Sequence, residues 1–236
     1  MHLALATETT DEAFRAEPIT TIVIASEARR IHDQICLALD TLQKALPSLQ
    51  PDAARDAATI LKRRATLLAT ADAIVTHPPS GKLLRIHGDY HLGQVLRSKD
   101  DFVLLDFEGE PARTLAERRR KQSPLKDVAG MLRSFSYAAW VALEHQRILQ
   151  PDSKASHDVW GQAVSTSFLA TYRKTIATRS DLLPDEPLAT TLLNAYILEK
   201  ALYELRYELN NRPEWVRIPL AALVTLLEPD APPNRR

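Results

Sequence analysis

Glycine is scarce. Only six occur in 236 residues, none in a G-x-G-x-x-G arrangement, so the glycine-rich turn that wraps backbone amides around a phosphate is missing. Cysteine is scarcer still: Cys36 stands alone, which excludes an internal disulfide. Its context I-C-L-A-L reads as a buried helix position holding a core thiol. Thirty basic residues balance thirty acidic ones, so nothing in the charge favours a nucleic-acid partner. No apolar run approaches the roughly 20 residues needed to cross a bilayer, and no signal peptide opens the chain. The expectation is a cytoplasmic protein without membrane association. Repeats and low-complexity stretches are absent too, apart from the polar, Pro-rich 229–236 (P-D-A-P-P-N-R-R), expected to be a frayed tail on a domain spanning 1–228.

What is present is mostly helical periodicity. Residues 1–20 read as a helix tail and a linker. Ile24, Ala28, Ile31, Ile35, Leu39 and Leu42 recur every three or four residues and predict an amphipathic helix over 21–46. Pro47 and Pro51 break it, and Asp52 is the expected N-cap of a second helix over about 53–75. Beyond Ser123-Pro124 the segments 125–149, 156–179, 187–211 and 216–227 all carry helical spacing. In 187–211, Ile197, Ala201, Leu205 and Leu209 predict the buried stripe. Tyr196, Lys200, Tyr203 and Tyr207 predict a second, aromatic face.

Strand signals gather only around Leu83–Pro111. There L-L-R-I leads into H-G-D-Y-H-L-G-Q-V-L, then a polar break R-S-K-D-D, then F-V-L-L-D-F-E-G-E-P. Short apolar runs on either side of a polar break predict a β-hairpin-like unit framing an acidic loop. Asp89 lies between Gly88 and Gly93, on a loop; Gln94 follows five residues later, and Asp106 ends the second run. An acid, an amide oxygen and a second acid can do two jobs. One carboxylate accepts a proton from a hydroxyl, while the amide oxygen and the other carboxylate hold a hard cation such as Mg²⁺.

H-G-D-Y-H-L-G-Q resembles the catalytic loop of kinase-like phosphotransferases, with Gln94 in place of the usual Asn, and L-L-D-F-E-G-E-P resembles their metal-binding D-F-G segment. Together with the downstream E-K-A-L-Y-E-L-R-Y-E-L-N-N-R-P-E-W, these motifs are similar to those of the bacterial maltokinases. The resemblance extends from residue 1 to about 228. It implies a mainly α (α+β) fold, the C-terminal lobe of a protein-kinase-like phosphotransferase with a small β element carrying the catalytic loop. It further implies ATP and Mg²⁺ as cofactors, maltose as acceptor, maltose 1-phosphate for α-glucan synthesis as product, and trehalose synthase as a fused or associated partner. Asp89 would be the catalytic base and Gln94 and Asp106 the metal ligands. His91, Arg133, Tyr137, Lys200 and Tyr203 would line the sugar.

Each of these residues has a plainer reading. An aspartate after glycine often caps a turn. His87 and His91 are four apart, as in helical zinc sites, but their glycines argue against a helix, and His87 reads as a structural residue bonded to backbone. Asp127 reads as a helix cap. Arg133 and Tyr137 pair equally well with surface groups, and an aromatic stripe such as Tyr203's commonly packs. The basic run at 114–122 fits either a phosphate or a solvated edge. The strand-rich nucleotide-covering lobe is not recognisable: the residues before the loop show no run of strands, and Lys44 and Lys62 both fall on helices. The N-lobe is therefore expected to be absent from this chain. Two further readings stand beside a maltokinase, an aminoglycoside-type small-molecule kinase and a catalytically inactive interaction domain.

Overall fold

The computed structural model describes residues 1–111, 113–149 and 156–228; the expected tail at 229–236 lies outside them. In chain order the elements are α1 (His2–Leu5), β1 (Glu17–Pro18), α2 (Thr21–Ala45), α3 (Pro51–Lys62), α4 (Arg64–Asp72), β2 (Lys82–Leu83), β3 (Val95–Ser98), β4 (Asp101–Leu104), α5 (Leu115–Arg119), α6 (Leu125–Leu149), α7 (Ser156–Ile176), α8 (Leu188–Asn211) and α9 (Arg217–Leu226). The fold is mainly helical. Among the described residues, strands form two two-stranded antiparallel sheets, β1–β2 and β3–β4. Two compact units divide the chain. One comprises Met1–Thr20 and Pro79–Leu193, the other Thr21–Pro78 and the chain from Asn194, so the last of the three crossings between them falls within α8.

In the first unit α6 packs on α7, with the Phe135 and Phe168 rings edge to face at 5.5 Å. Ala6, Leu84, Ile86, Ile176 and Leu182 form a buried cluster, and Leu84 exchanges backbone hydrogen bonds with Gln122. The hairpin pairs Val95 with Leu104 through Ser98 with Asp101, and the left-handed Lys99 (φ 55°) turns it. Thr114 begins α5 with a reciprocal capping box to Glu117.

In the second unit α2 packs on α4, and α3 on α9. All six apolar positions anticipated on α2 are buried, the five Ile and Leu side chains each contributing about 1.5–3 kcal/mol if fully transferred from water and Ala28 less. Arg30 on α2 donates to both Glu27 and Glu199. Burial opposes its charge, but the two carboxylates outweigh that and hold the guanidinium above its ordinary range. Burial, then the charge of Glu27, pushes the nearby Tyr196 phenol up.

Several expectations change. Pro51 occupies the first helical turn, where its missing N–H costs nothing, so Gln50 rather than Asp52 is the N-cap of α3. The helix anticipated over 53–75 breaks at Arg63 into α3 and α4. Cys36 is half-buried, its Sγ 3.9 Å from His32 Nδ1, not a core thiol. A strand also forms outside the central motif, at β1. Of the stripe anticipated on α8, Ala201 and Leu205 are buried and Ile197 and Leu209 only half-buried; Ala195, Leu198 and Leu202 complete the buried line, and Tyr196 is itself buried. A strict four-residue spacing drifts about 40° per step around a helix of 3.6 residues per turn, so three such steps leave the buried face.

Candidate active site

The loop after Ile86 is short and crowded, and its geometry begins at His87. This imidazole is 1% exposed. Its Nε2 donates to the Leu105 carbonyl at 2.7 Å, and its Nδ1 accepts from the Asp89 N–H at 3.4 Å. One ring therefore ties the residue before Asp106 to the backbone of Asp89, with Tyr90 and Phe107 against it at 5.5 and 4.8 Å. The same two segments meet as bare backbone. A Cβ on Gly88 would stand 3.2 Å from the Cα of Gly109, and Gly88 itself has φ 84°, a conformation glycine adopts without steric cost.

Gln94 and Asp106 are brought together by the hairpin. The Leu105 N–H donates to the Gln94 carbonyl at 2.9 Å, and Gln94 Nε2 donates to Asp106 Oδ2 at 3.3 Å. Asp106 is left-handed, with φ 58°. A non-glycine residue held there carries about 1–3 kcal/mol of strain, and such strain concentrates at functional sites. His91 closes the other side. Its Nδ1 accepts from the Gly93 N–H, and its Nε2 lies 3.8 Å from Asp89 Oδ2, the histidine side chain 38% exposed and the aspartate 17%.

Helix α6 holds the loop in place. Asp127, 2% exposed, accepts from the His87 N–H at 2.8 Å and the Gly88 N–H at 2.9 Å. It is thus not a cap for its own helix, as expected from sequence, but an anchor for the loop after Ile86. Ser134 Oγ accepts from the Leu92 N–H at 2.8 Å. Gly130, between them, lets the helix approach: a Cβ there would meet the Tyr90 carbonyl oxygen at 2.7 Å. Burial, and then the charge of Asp127, pushes the Tyr90 phenol above its ordinary range. The sequence signal for this device is the D-x-x-G at the start of α6.

Of the anticipated sugar residues, Arg133 is 4% exposed, and Tyr137 is half-buried one turn further on. Lys200 and Tyr203 belong to the second unit. Lys200 Nζ stands 4.8 Å over the Tyr203 ring, which stacks on Tyr207 at 6.5 Å. In the basic run, Lys121 reaches the Glu12 carbonyl at 2.6 Å and the Glu17 carboxylate, and Arg118 lies across Gly109.

Among the described residues no group of three or more His, Cys, Asp or Glu could hold a metal ion. The oxygens on offer are the Gln94 amide and the Asp106 carboxylate. That donor set fits Mg²⁺, which keeps several waters and takes the rest of its shell from substrate phosphates, and does not fit a cation needing an all-protein cage. No helix among the described residues is long and apolar enough to cross a membrane.

No family model matches the chain. It is 33% identical over 166 residues to a glucosamine kinase of Streptacidiphilus jiangxiensis, covering 70% of this chain and 35% of that protein. A glucosamine kinase of Mycolicibacterium smegmatis is 36% identical over 143 residues, 60% of this chain and 34% of the relative. Among solved structures, a glucosamine kinase in complex with glucosamine, ADP and inorganic phosphate superposes with a TM-score of 0.75 at 26% identity, covering 96% of this chain and 49% of that chain. A second glucosamine kinase structure (crystal form A) gives 0.76 at 25% identity, covering 97% and 48%. The fold is thus kinase-like and its relatives are sugar kinases, but the chain spans about half the length of these solved relatives and a third of the curated ones.

Proposed function

We propose that this chain is the acceptor- and metal-holding part of an ATP-dependent sugar kinase, corresponding to its C-terminal lobe. The observation that carries the reading is the junction of two loops: His87 bonds both the Asp89 N–H and the Leu105 carbonyl, while Gln94 bonds Asp106. An acid and a two-oxygen cation site are thereby fixed relative to one another by backbone and a buried ring. Such rigidity suits a reaction whose catalysis is mainly positioning and electrostatics.

In this reading Asp89 accepts the proton of the sugar hydroxyl as that oxygen bonds to the γ-phosphorus. The bond between phosphorus and the bridging oxygen breaks, and ADP carries the electron pair away. Gln94 Oε1 and Asp106 would hold Mg²⁺, which supplies charge neutralisation at the phosphates. His91 beside Asp89 contributes a donor at the acceptor side. Arg133, Tyr137, Lys200 and Tyr203 are proposed sugar-binding residues.

For the sugar, the relatives' names support glucosamine. Maltose is the second reading, supported by the motif resemblance in E-K-A-L-Y-E and its continuation. The test is transfer of label from γ-³²P-ATP by the protein expressed from its full reading frame, offered glucosamine, maltose and an aminoglycoside in parallel. Labelled glucosamine phosphate is expected; labelled maltose phosphate alone would replace the first reading with the second. Transfer to no sugar would overturn the kinase assignment.

A further inference from the structure

A buried polar chain runs from Asp127 away from the loop it anchors. Asp127 Oδ2 lies 3.0 Å from His2 Nε2, the two side chains 1% and 3% exposed. On the far side of the ring, His2 Nδ1 lies 2.9 Å from the Tyr172 hydroxyl, with the rings edge to face at 5.6 Å. A carboxylate only accepts, so Nε2 carries the hydrogen and donates to Asp127; Nδ1 meets the Tyr172 hydroxyl, a group that can either donate to it or accept from it. Burial, and then the charge of Asp127, pushes the Tyr172 phenol up, so it keeps its proton. Each link has one donor and one acceptor, and the chain ends on the backbone N–H groups of His87 and Gly88.

We infer that His2, oriented by Tyr172, is a positioning residue for the phosphoryl-transfer loop. By donating to the outer side of Asp127, it fixes the carboxylate plane, so that Oδ1 faces Gly88 and Oδ2 faces His87. Asp127 can turn about its side-chain torsions if the third donor is lost, and the His87 and Gly88 amides, just before Asp89, would then loosen. This part of the site lies 125 residues from Asp127 in sequence, on a four-residue helix that no motif marks. The inference rests on the kinase reading for its kinetic consequence, but not for its structural one.

The test compares His2→Phe, His2→Gln and Tyr172→Phe in the full-length protein. His2→Phe keeps a ring and removes both nitrogens; Gln retains one donor and one acceptor. Two quantities are read: hydrogen exchange at the His87 and Gly88 amides, and kcat and KM for the sugar and for ATP. His2→Phe is expected to speed exchange at both amides about tenfold or more and to lower kcat about tenfold, with either KM within about threefold, because a misplaced catalytic group costs turnover rather than ground-state binding. His2→Gln should restore most of both, and Tyr172→Phe should give a smaller loss in the same direction. Unchanged exchange at His87 and Gly88 in His2→Phe overturns the proposal. So does a fall in kcat that His2→Gln fails to reverse while its amides are protected. Should His2→Phe not fold, Tyr172→Phe decides, and wild-type exchange and kcat in that variant overturn it. If the wild-type protein phosphorylates no sugar, the kinase reading fails while the exchange measurement still judges His2.

Discussion

In the proposed reading Asp89 and Asp106 carry different chemistry, and their surroundings differ to match. Asp89 is mostly shielded, with an imidazole nitrogen 3.8 Å away, suited to receiving a proton from a hydroxyl held nearby. Replacing it by asparagine keeps size and polarity but removes the basic oxygen. If the kinase reading holds, Asp89→Asn in the protein expressed from its full reading frame should lower kcat by roughly 10²–10⁴-fold, the usual scale for a general base, with KM for the sugar nearly unchanged. Steady-state kinetics check this, and wild-type turnover would remove Asp89 from the role. Asp106 is bonded to an amide and held at φ 58°, an arrangement that fixes an oxygen rather than a proton. Asp106→Ala leaves a single side-chain amide oxygen for a hard cation, a poor substitute for a carboxylate. Turnover should fall below detection at millimolar Mg²⁺; activity with an unchanged Mg²⁺ dependence would show the metal to be held elsewhere.

At the scale of elements, helix α6 is what makes the loop a site. Its N-terminal turn supplies Asp127, Ser134 follows two turns further on, and Gly130 between them leaves room for the Tyr90 carbonyl. Two effects compete in Gly130→Ala. Helix propensity favours alanine by about 1 kcal/mol, but a Cβ 2.7 Å from a backbone oxygen forces helix and loop apart, which costs typically 1–3 kcal/mol. The clash should win: net destabilisation of about 1 kcal/mol in urea unfolding, with kcat reduced more than stability alone explains. A stabilised, fully active Gly130→Ala would mean the loop gives way freely. The helices themselves were legible in the sequence because apolar residues three or four apart bury one face, and α2 and α6 begin and end close to where that spacing begins and ends. Gln94 and Asp106 were legible as a pair because a short hairpin joins them. Asp127 was misread as a cap for its own helix, since its partners lie 40 and 125 residues away and no local pattern encodes them. The α8 stripe holds at Ala201 and Leu205 and fails at its ends, Ile197 and Leu209, because a fixed step of four overruns the helical repeat.

For the whole molecule the question is what these residues can do without more chain. Each unit encloses its own buried side chains, such as Leu84 and Leu182 in one and Ile31, Ile35 and Leu205 in the other. Expressed as these 236 residues alone, the polypeptide should therefore unfold cooperatively in denaturant. Catalysis asks for more. A γ-phosphoryl must be held in line with the acceptor oxygen, and kinases do this with contacts from both sides of a cleft, including a lysine and a glycine-containing strand layer over the phosphates. Among the described residues, strands amount to two short pairs, and no glycine-rich phosphate turn exists anywhere in the sequence. In the proposed reading, Asp89, Gln94 and Asp106 would serve as base and cation ligands with no glycine-rich turn in this sequence to face the phosphates. ATP–Mg²⁺ should bind this polypeptide more weakly than about 1 mM, equivalent to less than about 4 kcal/mol of binding free energy. Phosphorylation of glucosamine or maltose should fall below detection. Calorimetric titration beside a labelled-ATP transfer assay measures both. Micromolar affinity accompanied by turnover would mean that α1 to α4 supply phosphate contacts by a route other than a glycine-rich turn, and would move the nucleotide site into those helices.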